Sequence, residues 1–440
     1  MASFVYSSTD ALAELASSAK VDGQALPPPE YCTLKVLEWP DHESPQPLAA
    51  TVPALIARKK PKLRLIFAPL DYPTPQNYNG LQAMFSHLKI PSEFIAERVH
   101  SVTHSLGWHR ENDSDHVVWL HTLCKNLTPV RGIDGSPSIQ DPRGSGPSQE
   151  SDGTWRRSGF FLRWKKSDVG DDAASEVDMI IFSPTIPLQR NLEGLMLRSN
   201  WRQALEDPFC LLVVVLDDLF GQVSESMWIV HGVLQSVEHR VLENAGTGAT
   251  GASFDFVAMY NIAKHVLHVK ESSGAAYLVA CQVAEAHRSL LLEGKQDKVK
   301  EMAEGVQALI QHKLTLLESC KLQVQSLDSR AQNMTNLAFN TVNQQDSQTM
   351  KADSQSMKVI ATVTMFFLPA ATIGSICGSQ FFNFNSDSHR IMMSVDFKFF
   401  WAVTIPLTFL VFGVYLLWRW IKANEARRDG KNVASRKIST

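Results

Sequence analysis

The chain has 440 residues, 44% of them hydrophobic, and a formal net charge of -3 at pH 7. That length has room for two or three domains with a sizeable core, and the balanced charge provides no global basic field of the kind that draws nucleic acid. The N-terminus, MASFVYSSTDALAELASSAK, lacks the basic start and apolar core of a signal peptide; with Asp10, Glu14 and no Arg it also lacks the make-up of a mitochondrial presequence.

Six cysteines (Cys32, Cys124, Cys210, Cys281, Cys320 and Cys377) are scattered without a CxxC pair. They read as plain thiols of a cytosolic body rather than as a metal cluster or a disulfide framework.

In chain order, residues 1–60 are expected to be loosely ordered, because PPP at Pro27–Pro29, the segment DHESPQP and scattered Ser residues interrupt any apolar period. Leu63–Pro69 (LRLIFAP) reads as a buried strand closed by proline. Leu81, Met84, Phe85 and Leu88 fall at helical spacing, and a second helix is expected over Pro91–Val102. The Gly-, Ser- and Pro-rich stretch 132–153 reads as a flexible loop. Two strands flank its far end, Thr154–Trp164 and Val177–Phe182, and the aromatic and Arg residues of the first suit a half-buried hairpin better than RNA stacking. Residues 61–190 therefore form the α+β domain.

From Asn191 strand signals stop. Helical stretches follow over Asn191–Glu243, broken near Asp207-Pro208, over Phe254–Leu292, and from Asp297 onward. These make residues 191–296 a helical cytosolic region and 297–358 a long stalk. Along the stalk, Val299, Met302, Val306, Leu309, Leu316, Cys320, Val324, Leu327 and Met334 alternate three and four residues, a coiled-coil seam broken only by Lys313. No Pro or Gly lies between Gly305 and Pro369, so one continuous helix of roughly 80 residues, about 120 Å long, is expected.

Val359–Gly378 holds twenty consecutive residues without a formal charge, and the next charge is Asp387. That is the length a helix needs to cross a hydrocarbon layer about 30 Å thick. The first membrane helix is placed at 359–384, a short external loop at 385–398 and the second helix at 399–421. Phe399, Phe400, Trp401, Trp418 and Trp420 mark the ends of the second helix as interfacial belts. The tail, 422–440, is basic and therefore cytosolic, and two crossings put both termini on that side of an integral membrane protein. The plasma membrane is favoured over an organelle.

Carrying the stalk spacing downward places Asn336, Asn340, Asn343, Ser347, Met350, Ser354, Met357, Ala361, Thr364, Leu368, Ala371, Ser375 and Ser379 on one helical face. Helices assembled with this face inward would enclose a hydrated path with oxygen acceptors, interrupted by apolar rings at Met350, Met357 and Leu368. Small and hydroxylated residues also suit an ordinary packed membrane interface, and both readings stand on periodicity alone; three amides in succession favour a wet lumen. Asp346 and Asp353, seven residues apart beside the stripe, read either as divalent-ion ligands between copies or as solvated charges. Pro369 removes a backbone hydrogen bond in mid-span.

The stretch IATVTMFFLPAATIGSICGSQF resembles the pore helix of the CorA family of magnesium transporters, with its proline and its closing Gly-Met-Asn signature. The resemblance is strongest over residues 354–384 and most similar to divergent fungal members. It implies a homopentamer with a funnel-shaped cytosolic part and a central pore lined by the first membrane helix. It further implies that hydrated Mg2+ is captured at the outer mouth by the signature's amide ring. Gly378 matches the signature glycine, Ser379 stands for its methionine and Gln380 for its asparagine. Gln keeps the amide oxygen on a longer arm, which bears on selectivity because Mg2+ demands near-ideal octahedral water. The expected activity is divalent-cation transport, Mg2+ first, with a transport-deficient pentameric scaffold or sensor as the alternative. No cofactor is expected beyond a divalent cation as transported or regulatory ion, and the partners are the bilayer and further copies of the chain.

An enzyme is not expected, since no GxSxG, HExxH or P-loop occurs, and His265, His268 and His287 read as ordinary helix residues.

Overall fold

The computed structural model describes residues 17, 33–39, 46–68, 77–112, 115–131, 135, 137–139, 155–166, 174–197, 199–246, 254–291, 297–377, 382–385, 390–393 and 395–438. The chain divides into two compact units, Met1–Ala338 and Phe339–Thr440, each treated by itself.

The first unit is built on a seven-stranded sheet. Its strands are β1 (Thr33–Trp39), β2 (Gln46–Thr51), β3 (Leu63–Ala68), β4 (Ser105–Asn112), β5 (Asp115–Lys125), then, after a two-stranded ladder of β6 (Pro129–Arg131) and β7 (Pro137–Ile139), β8 (Trp155–Lys166) and β9 (Ala174–Phe182). The order is β2-β1-β3-β9-β8-β5-β4, and every pairing is antiparallel except β3 with β9.

Both faces are covered. Leu34, Val36, Ile66, Val117, Phe161 and Ile180 point into a core closed by α1 (Val52–Ala57), α2 (Tyr78–Leu88) and α3 (Ser92–Val99). Leu37, Leu65, Leu120, Leu162, Met179 and Ile181 point into the other core, closed by the helices that follow. These are α4 (Ile186–Leu197), a 3-10 turn at Ser199–Arg202, α5 (Gln203–Glu206), α6 (Phe209–Gly246), α7 (Phe256–Leu291) and α8 (Asp297–Cys377). Alternation of neighbours between two apolar layers is what a doubly covered sheet requires.

Three expectations change. The stretch before residue 60 contains β1, β2 and α1, so the sheet begins at Thr33; Leu34, Val36, Leu37 and Trp39 are each no more than 1% exposed, and their burial orders a segment whose flanks look loop-like. Within the expected loop 132–153, Pro137–Ile139 pairs with Pro129–Arg131, while residues 132–134, 136 and 140–153 lie outside the described residues. Ser105–Lys125, to which the sequence assigns no element, supplies two sheet strands.

A row of alternating charge runs across the middle of the sheet. Glu38 of β1 stands opposite Arg64 of β3, Arg64 beside Asp178 of β9, and Asp178 opposite Arg163 of β8. Arg163 in turn donates to Asp115 of β5. Arg64 is fully buried and its Nε donates to Glu38 Oε1 at 3.1 Å. A buried guanidinium needs such partners, because a stranded charge in an apolar layer is costly. Burial raises the Asp178 carboxyl above the usual carboxylate range despite Arg64 and Lys60 beside it. At Asp115 burial works in the same direction, but the hydrogen bonds from Arg163 outweigh it and the carboxyl is held low.

In the second unit, the hairpin β10 (Phe382–Asn385) and β11 (Arg390–Met393) joins the end of α8 to α9 (Val395–Ile438). The expected external loop thus supplies Asn385 and β11 to a β-ladder, while residues 382–384, expected in the first membrane helix, are strand, because that helix ends at Cys377. The second apolar helix begins four residues early and continues through the basic tail, whose charges are compatible with a helix once the apolar segment has nucleated it.

Candidate functional site

Helix α8 carries the candidate site, and it has two faces. The buried positions in the first unit are Ala303, Val306, Ile310, Leu317, Cys320, Val324, Leu327, Ala331, Met334 and Ala338. They keep a 3,4 alternation in which position 313 is the one polar member, and Val306, Ile310, Leu317 and Cys320 share a core with α6 and α7 of the same chain. This corrects the expected seam: Leu309 is 51% exposed and Leu316 only half-buried, while Ile310 and Leu317 go inside. Both sets fit the same period on adjacent flanks, and the neighbouring helices select between them. Cross-links hold the packing: Lys313 to Asp217 of α6, Arg330 Nη2 to Glu238 of α6 at 2.5 Å, and Lys270 Nζ of α7 to Asp328 at 2.7 Å.

The other face is the polar stripe. Asn336, Asn340, Asn343, Ser347, Met350, Ser354, Met357, Ala361, Thr364, Leu368, Ala371 and Ser375 are all exposed. So are off-stripe neighbours such as Val359, Ile360, Phe366 and Phe367, and the stripe is marked by its composition rather than by its exposure. Asn336 sits two residues from both Met334 and Ala338, about 200° around the helix from the seam.

The hydroxyls on this stretch are oriented by the backbone. Thr364 Oγ1 donates to Ile360 O, Thr372 Oγ1 to Leu368 O and Ser375 Oγ to Thr372 O, each at 2.8 Å. A hydroxyl has one proton, and once that is used inside the helix only lone pairs remain for whatever lies outside. A groove of about 590 Å3 runs along this part of α8, lined by Thr364, Phe367, Leu368, Ala371, Thr372 and Ser375 among others. Its polar atoms are therefore acceptors.

Segments of α8 and of α9 (Phe397–Ile421) are long and apolar enough to cross a membrane, with 6% of each apolar window buried. That separates them from core helices of a soluble protein. The buried exceptions among the described residues of these windows are Pro369 and Thr404. Phe400 of α9 passes beside Gly374, where a Cβ would make an ordinary van der Waals contact with the ring at 3.8 Å.

The remaining expected site residues are not brought together. Asp346 and Asp353 are exposed, and among the described residues no group of three or more His, Cys, Asp or Glu side chains can hold a metal ion. Gly378, Ser379 and Gln380, the expected mouth, lie outside the described residues.

Two polar constellations go beyond the sequence reading. His287, 3% exposed, places Nε2 2.8 Å from Asp207 Oδ2 and Nδ1 2.6 Å from Gln307 Oε1, joining α7, the start of α6 and α8. The same Asp207 accepts the Phe209 amide at the start of α6. Only the break at Asp207-Pro208 hinted at this in the sequence. The second is a cleft beside Lys313, whose signal was the single polar residue in an apolar seam.

Together these features define a class: an α+β body followed by long helices and two C-terminal apolar helices, the first carrying a stripe of amides and hydroxyls interrupted by apolar residues. A scan against protein families finds no match, and no curated protein matches. Solved structures similar to the chain include that of the full-length CmaX protein, with a TM-score of 0.44 at 11% identity over 89% of this chain and 98% of that one. The ZntB cytoplasmic domain from Vibrio parahaemolyticus RIMD 2210633 gives a TM-score of 0.39 at 6% identity, covering 71% of this chain and 99% of that one. The complete CorA magnesium transporter from Methanocaldococcus jannaschii gives 0.34 at 13% identity, covering 88% of this chain and 97% of that one. Scores of this size do not assign a family.

Proposed function

We propose that the chain is an integral membrane, CorA-like channel for divalent cations, Mg2+ first, assembled as a homopentamer with the stripe of α8 lining the central path. The observation that carries this is the exposed stripe whose membrane-level hydroxyls, Thr364 and Ser375, spend their protons on their own helix. Such a surface offers oxygen lone pairs to water molecules oriented around a cation, and it is a poor surface for an anion. Above it, Asn336, Asn340 and Asn343 solvate a hydrated ion from either charge sense, while Met350, Met357 and Leu368 supply apolar constrictions that gate by dewetting. The Gly378-Ser379-Gln380 segment stands where the family's signature captures the hydrated ion. Both termini face the cytosol in this arrangement, and the plasma membrane is the favoured site.

Purified protein in liposomes tests the reading through Mg2+ flux, with Co2+, Ni2+ and Mn2+ as companions. Thr364→Val and Ser375→Ala replace hydroxyl by methyl or hydrogen and should each lower flux several-fold without altering assembly. Absence of flux for all four ions in a well-folded oligomer refutes it. A second reading is favoured by one observation, the replacement of two of three signature residues at Ser379 and Gln380: a membrane scaffold or sensor that keeps the assembly without transport. It expects Gln380→Asn to gain flux over a silent wild type, and a wild type as active as that variant counts against it.

A further inference from the structure

A cleft of about 440 Å3 opens in the first unit between α4, α6 and α8. One wall is apolar, formed by Leu195, Val213 and Val214; the rim is polar, formed by Arg190, Asn191, Asp217 and Lys313. Its size falls within the range of small-molecule sites, about 300–1,000 Å3, which combine an apolar wall with a few placed polar groups.

The polar groups are unusual in two ways. Lys313 occupies a seam position whose neighbours along the helix, Val306, Ile310, Leu317 and Cys320, are all buried apolar residues. Its pairing with Asp217 accounts for it, since one polar residue in a seam fixes helix register at some expense of stability. That explanation does not extend to Arg190 and Asn191. Neither side chain makes a hydrogen bond among the described residues; both stand exposed at the rim, and the neighbouring charge of Arg190 is Glu193 on the same helix. Gly194, one turn along α4, leaves the cleft open, because a Cβ built there meets nothing within 4 Å.

We infer that this cleft binds a small organic phosphate, its dianionic group held by Arg190 and Lys313 and its apolar or aromatic body laid against Leu195, Val213 and Val214. Guanidinium presents a planar fork that matches phosphate oxygens, and an ammonium beside it adds a point charge. Two cations suit a dianion better than a carboxylate. Asp217 then acts as the occupant of the empty site, holding Lys313 until the ligand competes for it. The inference is independent of transport, since every residue belongs to the first unit.

The test is titration calorimetry of the full chain in non-ionic detergent with EDTA present, using AMP and ADP as probes and inorganic phosphate and benzoate as comparators. Saturable binding of a nucleotide is expected, tighter than either comparator. Arg190→Ala and Lys313→Met should each weaken it tenfold or more, and Asp217→Asn should tighten it by removing the competing carboxylate. Met fits the apolar seam, so Lys313→Met keeps the fold. Gly194→Leu fills the cleft without touching charge and should abolish binding. The inference is overturned if neither nucleotide binds, if benzoate or inorganic phosphate binds more tightly, or if Arg190→Ala and Gly194→Leu leave nucleotide affinity unchanged.

Discussion

The choice of face on α8 can be tested by a pair of truncations eight residues apart. Leu317 is fully buried between α8 and its neighbours, whereas Leu309 is 51% exposed, yet both satisfy the same sequence period. Leu→Ala at a fully buried site loses the transfer energy of the removed carbons and leaves a cavity, together about 2.7–5 kcal/mol. At Leu309 roughly half the side chain is already in water, no closed cavity forms, and the loss should be about 1 kcal/mol or less. Urea unfolding of the full chain in detergent, followed by tryptophan fluorescence and far-UV circular dichroism, reads the difference. Leu317→Ala should lower the midpoint of the first unit by at least three times as much as Leu309→Ala, with an unchanged slope. Equal losses would refute the assignment of the seam. They would instead show that the flank carrying Leu309 is covered in the assembled protein.

Two further perturbations have opposite expected signs within the first unit. A Cβ at Gly107 would fall 2.1 Å from the indole of Trp119, its partner across β4 and β5, so Gly107→Ala must displace that ring and its hydrogen bond to Glu97; a loss of about 1–3 kcal/mol is expected, while Gly221→Ala in open space on α6 should gain about 0.5–1 kcal/mol. Burial raises the Asp178 carboxyl in the folded state, so its contribution is complete below the unfolded carboxylate value and is lost as pH rises through the elevated folded one. Asp178→Asn should therefore match wild type at low pH and equal or exceed it at pH 7.5 in the same urea assay; a loss of more than about 1 kcal/mol at pH 7.5 would refute this.

How legible these features were depends on whether a residue's neighbours are local. The break at Asp207-Pro208 and the proline-free run from Asp297 are statements about the chain's own backbone, and the helices follow them: α7 spans Phe256–Leu291 and α8 spans Asp297–Cys377. Strand β5 was not legible. Its sequence, DHVVWLHTLCK, mixes His116, His121, Thr122 and Lys125 into an apolar run, and all four are buried. Alternation disappears where both faces are covered, and the polar residues are tolerated only because distant groups satisfy them, as the Phe94 carbonyl does for His121. β1 fails for the same reason, being held by β2 and β3 rather than by local pattern.

The seam shows a subtler limit. A 3,4 period fixes the angular width of an apolar stripe, but two adjacent flanks of α8 meet it, and the burial of Ile310 and Leu317 is decided by α6 and α7. The stripe that begins at Asn336 escapes this ambiguity because polarity marks it independently of period. Every described member from Asn336 to Ser375 is exposed while Met334 and Ala338, two residues either side of Asn336, are buried. Up to Ala338 one face of this helix is covered by its own chain; from Phe339 to Ile376 the described residues are exposed or half-buried on every face, Pro369 excepted, so below Ala338 it is composition that marks the stripe. An exposed polar face needs no cover in water, but at Thr364 and Ser375 it continues into an apolar segment, where uncovered acceptors facing lipid would be unfavourable. The chain on its own therefore leaves the membrane half of the stripe unsatisfied. In the proposed channel, water held between copies of α8 would satisfy it, which is the physical ground on which the proposal places the ion path on this face.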